Sequence, residues 1–200
     1  MILKSGTREM KAMSDTILKV TNVTKRFGGV CALDNVNLEL KKGEIHCLVG
    51  GNGSGKSTLI KIISGFYKPD GGTVEIDGIR HTQKYSTMDA IAAGVQVIYQ
   101  DMSVFPNLTV AENIALTINK SENKKLVNWK QVDEVAQQAF DKIGVQMPLH
   151  ELLEDMSVAD KQIVAIARAI LYDAKLLIMD EPTTALTRKE IDKLFEIVRN

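Results

Sequence analysis

One glycine-rich segment constrains this chain of 200 residues more than any other feature of its sequence. Gly50, Gly55, Lys56 and Ser57 match the pattern G-x-x-x-x-G-K-[ST]. In that pattern, backbone N–H groups surround phosphate oxygens, the lysine reaches the outer phosphates and the serine hydroxyl binds Mg²⁺. The alternative is a glycine turn that happens to precede Lys-Ser, which should occur by chance in about one chain in a hundred of this length. The sequence therefore predicts a phosphate-binding loop.

The residues around this segment have the patterns of a strand and a helix. Ile45 to Val49 is a continuous apolar run, which predicts a strand buried on both faces of a sheet. Beyond the loop, helical spacing continues as far as Gly65, a residue that favours a helix end. The apolar residues with that spacing are Leu59, Ile62, Ile63 and Phe66. A loop between a strand and a helix N-terminus is a favourable place for phosphate.

The spacing of apolar residues predicts further strands. Apolar residues alternate in Ile17 to Val23 and in Val36 to Leu40, which predicts antiparallel strands near the N-terminus. Val95 to Tyr99 and Leu176 to Met179 read as buried strands with helices between them. We therefore predict an α/β fold with a parallel-sheet core and an N-terminal antiparallel β subdomain.

The segment between the last two strands is predicted to be helical. Thr109 and Glu112 have the spacing of a capping box at a helix start. Apolar residues from Val132 to Ile143 mark one face of a longer helix. We expect a helical subdomain at about residues 102–160, and a loose tail at residues 1–15.

An acidic pair follows the last predicted strand. An acid pair at a strand end is by itself often a solvated terminus, but a phosphate-binding loop upstream gives it a second meaning. Asp180 would hold Mg²⁺ through water, and Glu181 would polarise a water for attack on a γ-phosphate. Gln100 also follows a strand, and by itself it is a weak signal. The carboxyl ends of parallel strands meet at one edge, so we expect the glycine-rich loop, Gln100 and the acidic pair to gather there.

Charge and composition limit the classes of partner. Lys plus Arg and Asp plus Glu both number 25, so the formal net charge is zero and nucleic acid is not an expected partner. Cys31 and Cys47 lack a C-x-x-C arrangement and stand in apolar surroundings, which predicts buried, reduced thiols of a cytosolic protein. No apolar run approaches the roughly 20 residues of a spanning helix. We expect a cytoplasmic protein unless a partner holds it at a membrane.

Taken together, these motifs resemble the nucleotide-binding domain of the ATP-binding cassette family. The resemblance extends over about residues 16–200 and rests on four segments in the family's order: the loop, Gln100, Ser157 before a helix, and Leu176 to Pro182. The loop residues are Gly50, Gly51, Asn52, Gly53, Ser54, Gly55, Lys56, Ser57 and Thr58. The resemblance implies an α/β fold of the P-loop NTPase, RecA-like type, with ATP and Mg²⁺ bound by this loop.

The resemblance also implies roles for single residues. Glu181, Lys56 and Gln100 would be the catalytic residues, with Gln100 sensing Mg²⁺ and the attacking water. Mg²⁺ would be bound by Ser57, Gln100 and Asp180. Phe27 would stack on adenine, where the alternative is an ordinary core aromatic. Ser157 would grip the γ-phosphate of ATP bound by a partner cassette.

Three further segments are similar to the ATPase subunits of monosaccharide importers, in which two cassettes share one polypeptide: residues 43–46, 106–113 and 157–160. This similarity implies the first cassette of such a subunit, peripheral on the inner face of the cell membrane. The implied partners are a second cassette, fused or dimeric, transmembrane permease subunits and, indirectly, a periplasmic or extracellular sugar-binding protein.

The chain departs from the family pattern in its signature. The family has Leu-Ser-Gly-Gly-Gln, whereas this chain has Met156, Ser157, Val158, Ala159 and Asp160. The family's switch histidine and two sheet strands would lie beyond the last residue, so we expect a C-terminally truncated cassette with low ATPase activity by itself.

Other functional classes are less consistent with the sequence. A soluble cassette ATPase in DNA repair or translation, and a nucleotide-binding fragment with little hydrolysis, remain alternatives. A GTPase would need an N-K-x-D motif, which the sequence lacks. A small-molecule kinase gives no account of Glu181 beside Asp180 or of the helical insert.

Overall fold

The computed structural model describes residues 15–81, 85–99, 104–116, 128–180 and 186–199. The chain divides into two compact units, the first ending at Asp89 and the second beginning at Ala90. The first unit contains a four-stranded antiparallel sheet, and the second contains a two-stranded parallel sheet. Both kinds of sheet predicted from the sequence are therefore present.

The first unit is built on its antiparallel sheet, with the strand order β2-β1-β3-β4. Its strands are β1 (Thr16–Phe27), β2 (Val30–Lys41), β3 (Gly71–Ile76) and β4 (Ile79–His81). Its helices are α1 (Lys56–Ile63) and α2 (Thr87–Ala92), the latter crossing the boundary at Asp89. The predicted alternation is confirmed in β2, where the apolar residues from Val36 to Leu40 are more buried than the residues beside them. In β1 the alternation holds at Leu18 and Val20, and the register shifts before buried Val23. Burial of one face of the sheet is what fixes its register.

The predicted strand at Ile45 to Val49 is not formed. These residues are assigned to no strand, and Ile45 and Val49 are 57% and 93% exposed. A strand needs a neighbouring backbone to pair with, and none pairs with this segment within the described part of the chain. Burial was also wrongly predicted for the thiols, because Cys31 and Cys47 are both exposed.

The second unit combines the parallel pair with helices. Its strands are β5 (Val95–Ile98) and β6 (Leu176–Met179). Its helices are α3 (Val110–Ala115), α4 (Trp129–Ile143), α5 (Val158–Leu171) and α6 (Arg188–Arg199), with a 3₁₀ turn at Leu153–Asp155. In the described residues no helix has both the length and the apolar character needed to cross a membrane.

The helices of the second unit surround one apolar core. The predicted apolar face of α4 is confirmed, since Ala136, Ala139 and Phe140 are fully buried. The capping box before α3 is also confirmed: Thr109 N–H donates to Glu112 Oε2 at 2.7 Å, and the Thr109 hydroxyl oxygen accepts from Glu112 N–H at 3.3 Å. Local capping and tertiary burial therefore favour the same helix start.

Asn113 is a fully buried polar residue on α3, and the sequence analysis did not single it out. Its side-chain oxygen accepts from Phe105 N–H at 2.8 Å. Its side-chain nitrogen donates to the carbonyls of Phe105, Leu108 and Thr109 at 2.9, 3.3 and 3.0 Å. One amide thus fixes residues 105–109, which precede α3. The detectable signal was a polar residue among the apolar residues of a short helix.

Replacement of this amide should destabilise the fold. Asn113→Ala removes the partner of several backbone groups at once, and each polar group left unpaired costs about 1–3 kcal/mol. We expect the free energy of unfolding in urea to fall by about 2 kcal/mol or more. Asn107→Ala, in the same loop but exposed, is the matched control and should change it by less than about 0.5 kcal/mol. Equal losses in the two variants would contradict the role assigned to Asn113.

Candidate nucleotide-binding site

The side chain of Lys56 forms hydrogen bonds to the glycine-rich loop that contains it. Lys56 Nζ donates to the carbonyl oxygens of Gly50 and Gly51 at 2.7 and 3.1 Å. The Ser54 N–H also donates to the Gly51 carbonyl, at 3.2 Å. The ammonium group therefore lies inside the loop, where an incoming anion would meet it.

Glycine is required at several loop positions for steric reasons. A Cβ on Gly55 would lie 2.6 Å from the Ala32 carbonyl oxygen, and Gly55 has a φ of 92° that side chains disfavour. A Cβ on Gly50 would lie 2.6 Å from Ser54 Oγ. Gly53 also has a positive φ, of 80°. The loop can rest against β2 only because position 55 carries no side chain.

The N-terminus of α1 presents unpaired donors. Gly55 is the N-cap residue and supplies no side-chain cap. The Leu59 N–H donates to the Gly55 carbonyl at 2.9 Å, so the N–H groups of Lys56, Ser57 and Thr58 precede the first intrahelical bond. Together with the helix dipole, these donors form a binding site for an anion. The helix is anchored by buried Leu59, Ile60, Ile62 and Ile63.

Phe27 lies at the tip of the β1–β2 hairpin and is 42% exposed. It pairs with Val30 across the turn at Gly28 and Gly29. The loop touches β2 at Ala32, and Val30 is two residues before it. Phe27, which lies opposite Val30, is therefore about 7 Å from that point in the direction of the strands. This exposure is more consistent with an aromatic residue available to a ligand than with a core aromatic residue, which was the alternative.

Two aromatic residues after α1 were not singled out as part of the site. Tyr67 contacts Phe27, with ring centroids 5.2 Å apart and an interplanar angle of 65°. Phe66 contacts Tyr67, with centroids 5.1 Å apart. The detectable signal was a pair of consecutive aromatics directly after the helix-ending Gly65.

An ion pair stands beside Phe27. Lys25 Nζ lies over the Phe27 ring, 5.4 Å from its centroid, and contacts Asp70 Oδ1 at 2.8 Å. The other carboxylate oxygen of Asp70 accepts from Arg26 N–H at 2.7 Å. The hydrogen bonds from Lys25 and from Arg26 N–H hold the pKa of the Asp70 carboxyl below its ordinary value. Asp70 therefore remains charged and holds this end of β1.

The acidic end of β6 lies in the second unit. Strands β5 and β6 are parallel, Ile98 pairs with Met179, and the Asp180 N–H donates to the Ile98 carbonyl at 2.9 Å. The rule that parallel strand ends meet is therefore confirmed for this pair. Gln100 and Glu181 lie outside the described residues. The gathering of both with the glycine-rich loop at one edge stays a prediction.

Ser157 is the N-cap of α5. Its hydroxyl oxygen accepts from Asp160 N–H at 3.1 Å, and its hydroxyl donates to Asp160 Oδ2 at 2.7 Å. The residue therefore has a local structural function in this chain. The implied contact with a partner's γ-phosphate is not tested by these contacts.

Ser57 and Asp180 each carry an oxygen group of a kind that can bind Mg²⁺. Within residues that the structure describes, no three His, Cys, Asp or Glu side chains converge. Mg²⁺ is usually bound through one or two carboxylates together with substrate phosphates and waters. The exposed Ser57 hydroxyl at the loop and the Asp180 carboxylate are donors of that type.

The fold matches solved cassette structures. The crystal structure of the ADP conformation of an ATP-binding cassette of an ABC transporter superposes with a TM-score of 0.80 at 27% identity. The match covers 93% of this chain and 76% of that one. The predicted fold class, a P-loop NTPase of the ATP-binding cassette type, is therefore confirmed.

The chain is also similar to proteins named as import ATP-binding proteins. The ribose import ATP-binding protein RbsA 1 of Streptomyces avermitilis is 42% identical over 186 residues, which is 93% of this chain and 35% of that protein. A putative ribose/galactose/methyl galactoside import ATP-binding protein of Geobacillus kaustophilus is 42% identical over 190 residues, again 93% of this chain and 37% of the relative. The chain thus spans about a third of the length of these relatives.

The family itself is shown by a match over most of the chain. The family model described as ABC transporter matches residues 33–184, from the strand beside the loop to the residues after Asp180. The glycine-rich loop, the uncapped helix and the acidic strand end all fall within this range. The chain belongs to the ABC transporter family.

Proposed function

We propose that this chain is an ATP-binding and ATP-hydrolysing domain that energises import of a small sugar across the cytoplasmic membrane. The observation that carries the proposal is the glycine-rich loop. The ammonium group of its lysine lies inside the loop, where an incoming anion would meet it, and the helix that follows has no side-chain cap. Such a loop offers a positive charge and free N–H donors to a polyphosphate. The tests below begin with that lysine.

Phosphate binding would exchange partners at the loop. The phosphate oxygens would replace the carbonyls of Gly50 and Gly51 as partners of Lys56, since a charge-assisted bond to an anion is stronger than one to a neutral carbonyl. The N–H groups of Ser57 and Thr58 would bind the same phosphates. The remaining loop residues of the site are Gly50, Gly51, Asn52, Gly53, Ser54 and Gly55.

The base would bind at the hairpin tip. Phe27 is exposed, and its strand partner Val30 lies close to the part of β2 that supports the loop. Stacking on an aromatic ring contributes about 1–3 kcal/mol for a nucleobase. Phe27 is therefore our candidate for the adenine contact.

Hydrolysis needs a metal ion and a positioned water. We assign the Mg²⁺ contacts to Ser57, Gln100 and Asp180, and the ion would neutralise charge on the β- and γ-phosphates. Glu181 would accept a hydrogen bond from the water that attacks the γ-phosphate. Lys56 would stabilise the charge on the transferred group. These assignments rest on the family pattern together with the donor types at the loop and at the end of β6.

The sugar and the partners are inferred from the relatives. The two import proteins described above are named for ribose, or for ribose, galactose and methyl galactoside. Zero net charge gives no support to a nucleic-acid partner. The proposed partners are a second cassette, permease subunits of the membrane and, indirectly, a sugar-binding protein outside it. The domain would then lie on the inner face of the cytoplasmic membrane.

A domain that binds ATP but contributes weakly to hydrolysis in a partner is the second candidate. The Ser157 hydroxyl already donates to Asp160, in a segment where the family has Gly-Gly-Gln after the serine. A phosphate approaching Ser157 would also approach the Asp160 carboxylate. The contact between Ser157 and Asp160 would affect only the ATP that a partner cassette binds. The ATP site of this chain itself would be unaffected.

Removal of the loop lysine should abolish nucleotide binding. Lys56→Ala deletes the charge that meets the outer phosphates. We expect no ATP binding by calorimetry at concentrations that saturate the unmodified protein. Lys68→Ala, an exposed lysine a few residues beyond α1, is the control and should bind normally. Undiminished affinity in Lys56→Ala would refute the phosphate assignment.

Substitution of the proposed water-polarising acid should separate binding from turnover. Glu181→Gln keeps the side-chain shape and removes the base, so the whole protein should bind ATP normally and lose nearly all steady-state hydrolysis. Phosphate release is the measurement, and exposed Glu196→Gln on α6 is the control. Normal phosphate release by Glu181→Gln would move the role to another residue.

Loss of the hairpin aromatic should weaken binding of the base. Phe27→Ala should cost about 1–3 kcal/mol of ATP affinity, the range found for a base on an aromatic ring. Phe195→Ala is a matched control because Phe195 is 43% exposed, against 42% for Phe27. A lower melting temperature with unchanged ATP affinity would instead make Phe27 a purely structural residue.

A further inference from the structure

Phe27 would be poorly oriented if the hairpin were its only support. It is the last residue of β1, it is followed by two glycines, and much of its ring is exposed. An exposed side chain loses rotational freedom when it stacks on a ligand, and that loss weakens binding. A contact that fixes the ring beforehand reduces the loss.

Tyr67 makes such a contact from a rigid position. The N–H groups of Phe66 and Tyr67 both donate to the Lys61 carbonyl, at 2.8 and 2.9 Å. Gly65 turns the chain there with a φ of 72°, and a Cβ on it would collide with the Ser86 carbonyl. The backbone at Tyr67 is therefore held at the end of α1, the helix whose other end is the proposed phosphate site, and Lys61 Nζ lies 5.5 Å from the centroid of the Tyr67 ring.

The geometry of the two rings is an attractive one. Their centroids are 5.2 Å apart at 65°, an edge-to-face arrangement that aromatic pairs favour. Lys25 adds a cation over the Phe27 ring, and Asp70 holds that lysine. The Asp70 N–H donates to the Thr24 carbonyl at 2.9 Å, so the residues before β3 are fastened to the end of β1. Phe27 is thus restrained from two directions.

We propose that Tyr67 is a positioning residue for the nucleotide base: it fixes the Phe27 ring in the orientation that stacks on adenine. The inference rests on the proposed ATP site and deepens it. Helix α1 would then support the phosphates at its N-terminus and the base contact just beyond its C-terminus. Tyr67 acts through Phe27 and is not itself assigned a contact with the nucleotide.

The test separates the base from the phosphates. Calorimetry would measure binding of Mg²⁺-ATP and of Mg²⁺-tripolyphosphate, which lacks the base, to the unmodified protein and to Tyr67→Leu. We expect Tyr67→Leu to weaken ATP binding about two- to tenfold, the range for an aromatic pair contact, and to change tripolyphosphate binding less than twofold. Tyr67→Phe keeps the ring and should bind both ligands normally.

A double-mutant cycle with Phe27 gives the decisive readout. In a Phe27→Ala background, Tyr67→Leu should cost no further ATP affinity, because the residue that it positions is gone. Phe66→Leu is the neighbouring control, since Phe66 is the other aromatic residue in contact with Tyr67, and its effect should stay below twofold. Tyr67→Met provides a second variant of similar bulk if Tyr67→Leu folds poorly.

Several results would overturn the proposal, and they differ from failure of the ATP site. An undiminished cost of Tyr67→Leu in the Phe27→Ala background would mean that Tyr67 acts independently of Phe27. Equal weakening of ATP and tripolyphosphate would indicate damage to the loop, and no effect on either would mean that Phe27 needs no support. If the unmodified protein bound neither ligand, the proposed ATP site would itself be wrong. If it bound both equally well, the base contact of Phe27 would be wrong.

Discussion

The close approach of Gly55 to the Ala32 carbonyl is the constraint on which the nucleotide-binding unit depends. A side chain at position 55 would place its Cβ 2.6 Å from that oxygen, a separation that real Cβ atoms essentially never show. With glycine there, the loop rests directly on β2. Phe27 on β1 pairs with Val30 on β2. The contact between the loop and β2 therefore also sets the distance from the N–H donors of the loop to the Phe27 ring. The proposed phosphate and base contacts would thereby lie on the two strands of one hairpin, β2 and β1.

The lysine of the glycine-rich loop has hydrogen-bond partners on the loop itself. The carbonyls of Gly50 and Gly51 satisfy the Lys56 ammonium, so the charge does not stand unpaired beside the donors of α1. A polyphosphate exchanges those neutral acceptors for anionic ones, which attract the ammonium group more strongly. The gain is therefore a difference between two bonded states.

The sequence predicted the elements whose causes are local and missed those that depend on distant partners. The capping box at Thr109, the apolar face of α4 and the glycines of the loop follow from spacing alone. The strand expected at Ile45 to Val49 was wrong because an apolar run supplies no pairing partner. Asn113 and Tyr67 escaped notice for a related reason. A local signal marked both positions, but their contacts with residues 105–109 and with Phe27 are seen only in the folded chain.

The helix cap at Ser157 illustrates how a local requirement constrains a function between molecules. Asp160 gives the serine an acceptor and places negative charge in the first turn of α5, where the helix dipole favours it. The same charge would oppose a phosphate brought to Ser157 from outside, by about 4 kcal/mol at 4 Å for two unit charges in a partly solvated site. A glutamine, as in the family signature, adds no such charge. If Ser157 contacts a phosphate bound by a partner cassette, as the family pattern implies, the carboxylate that stabilises this helix start would weaken that contact.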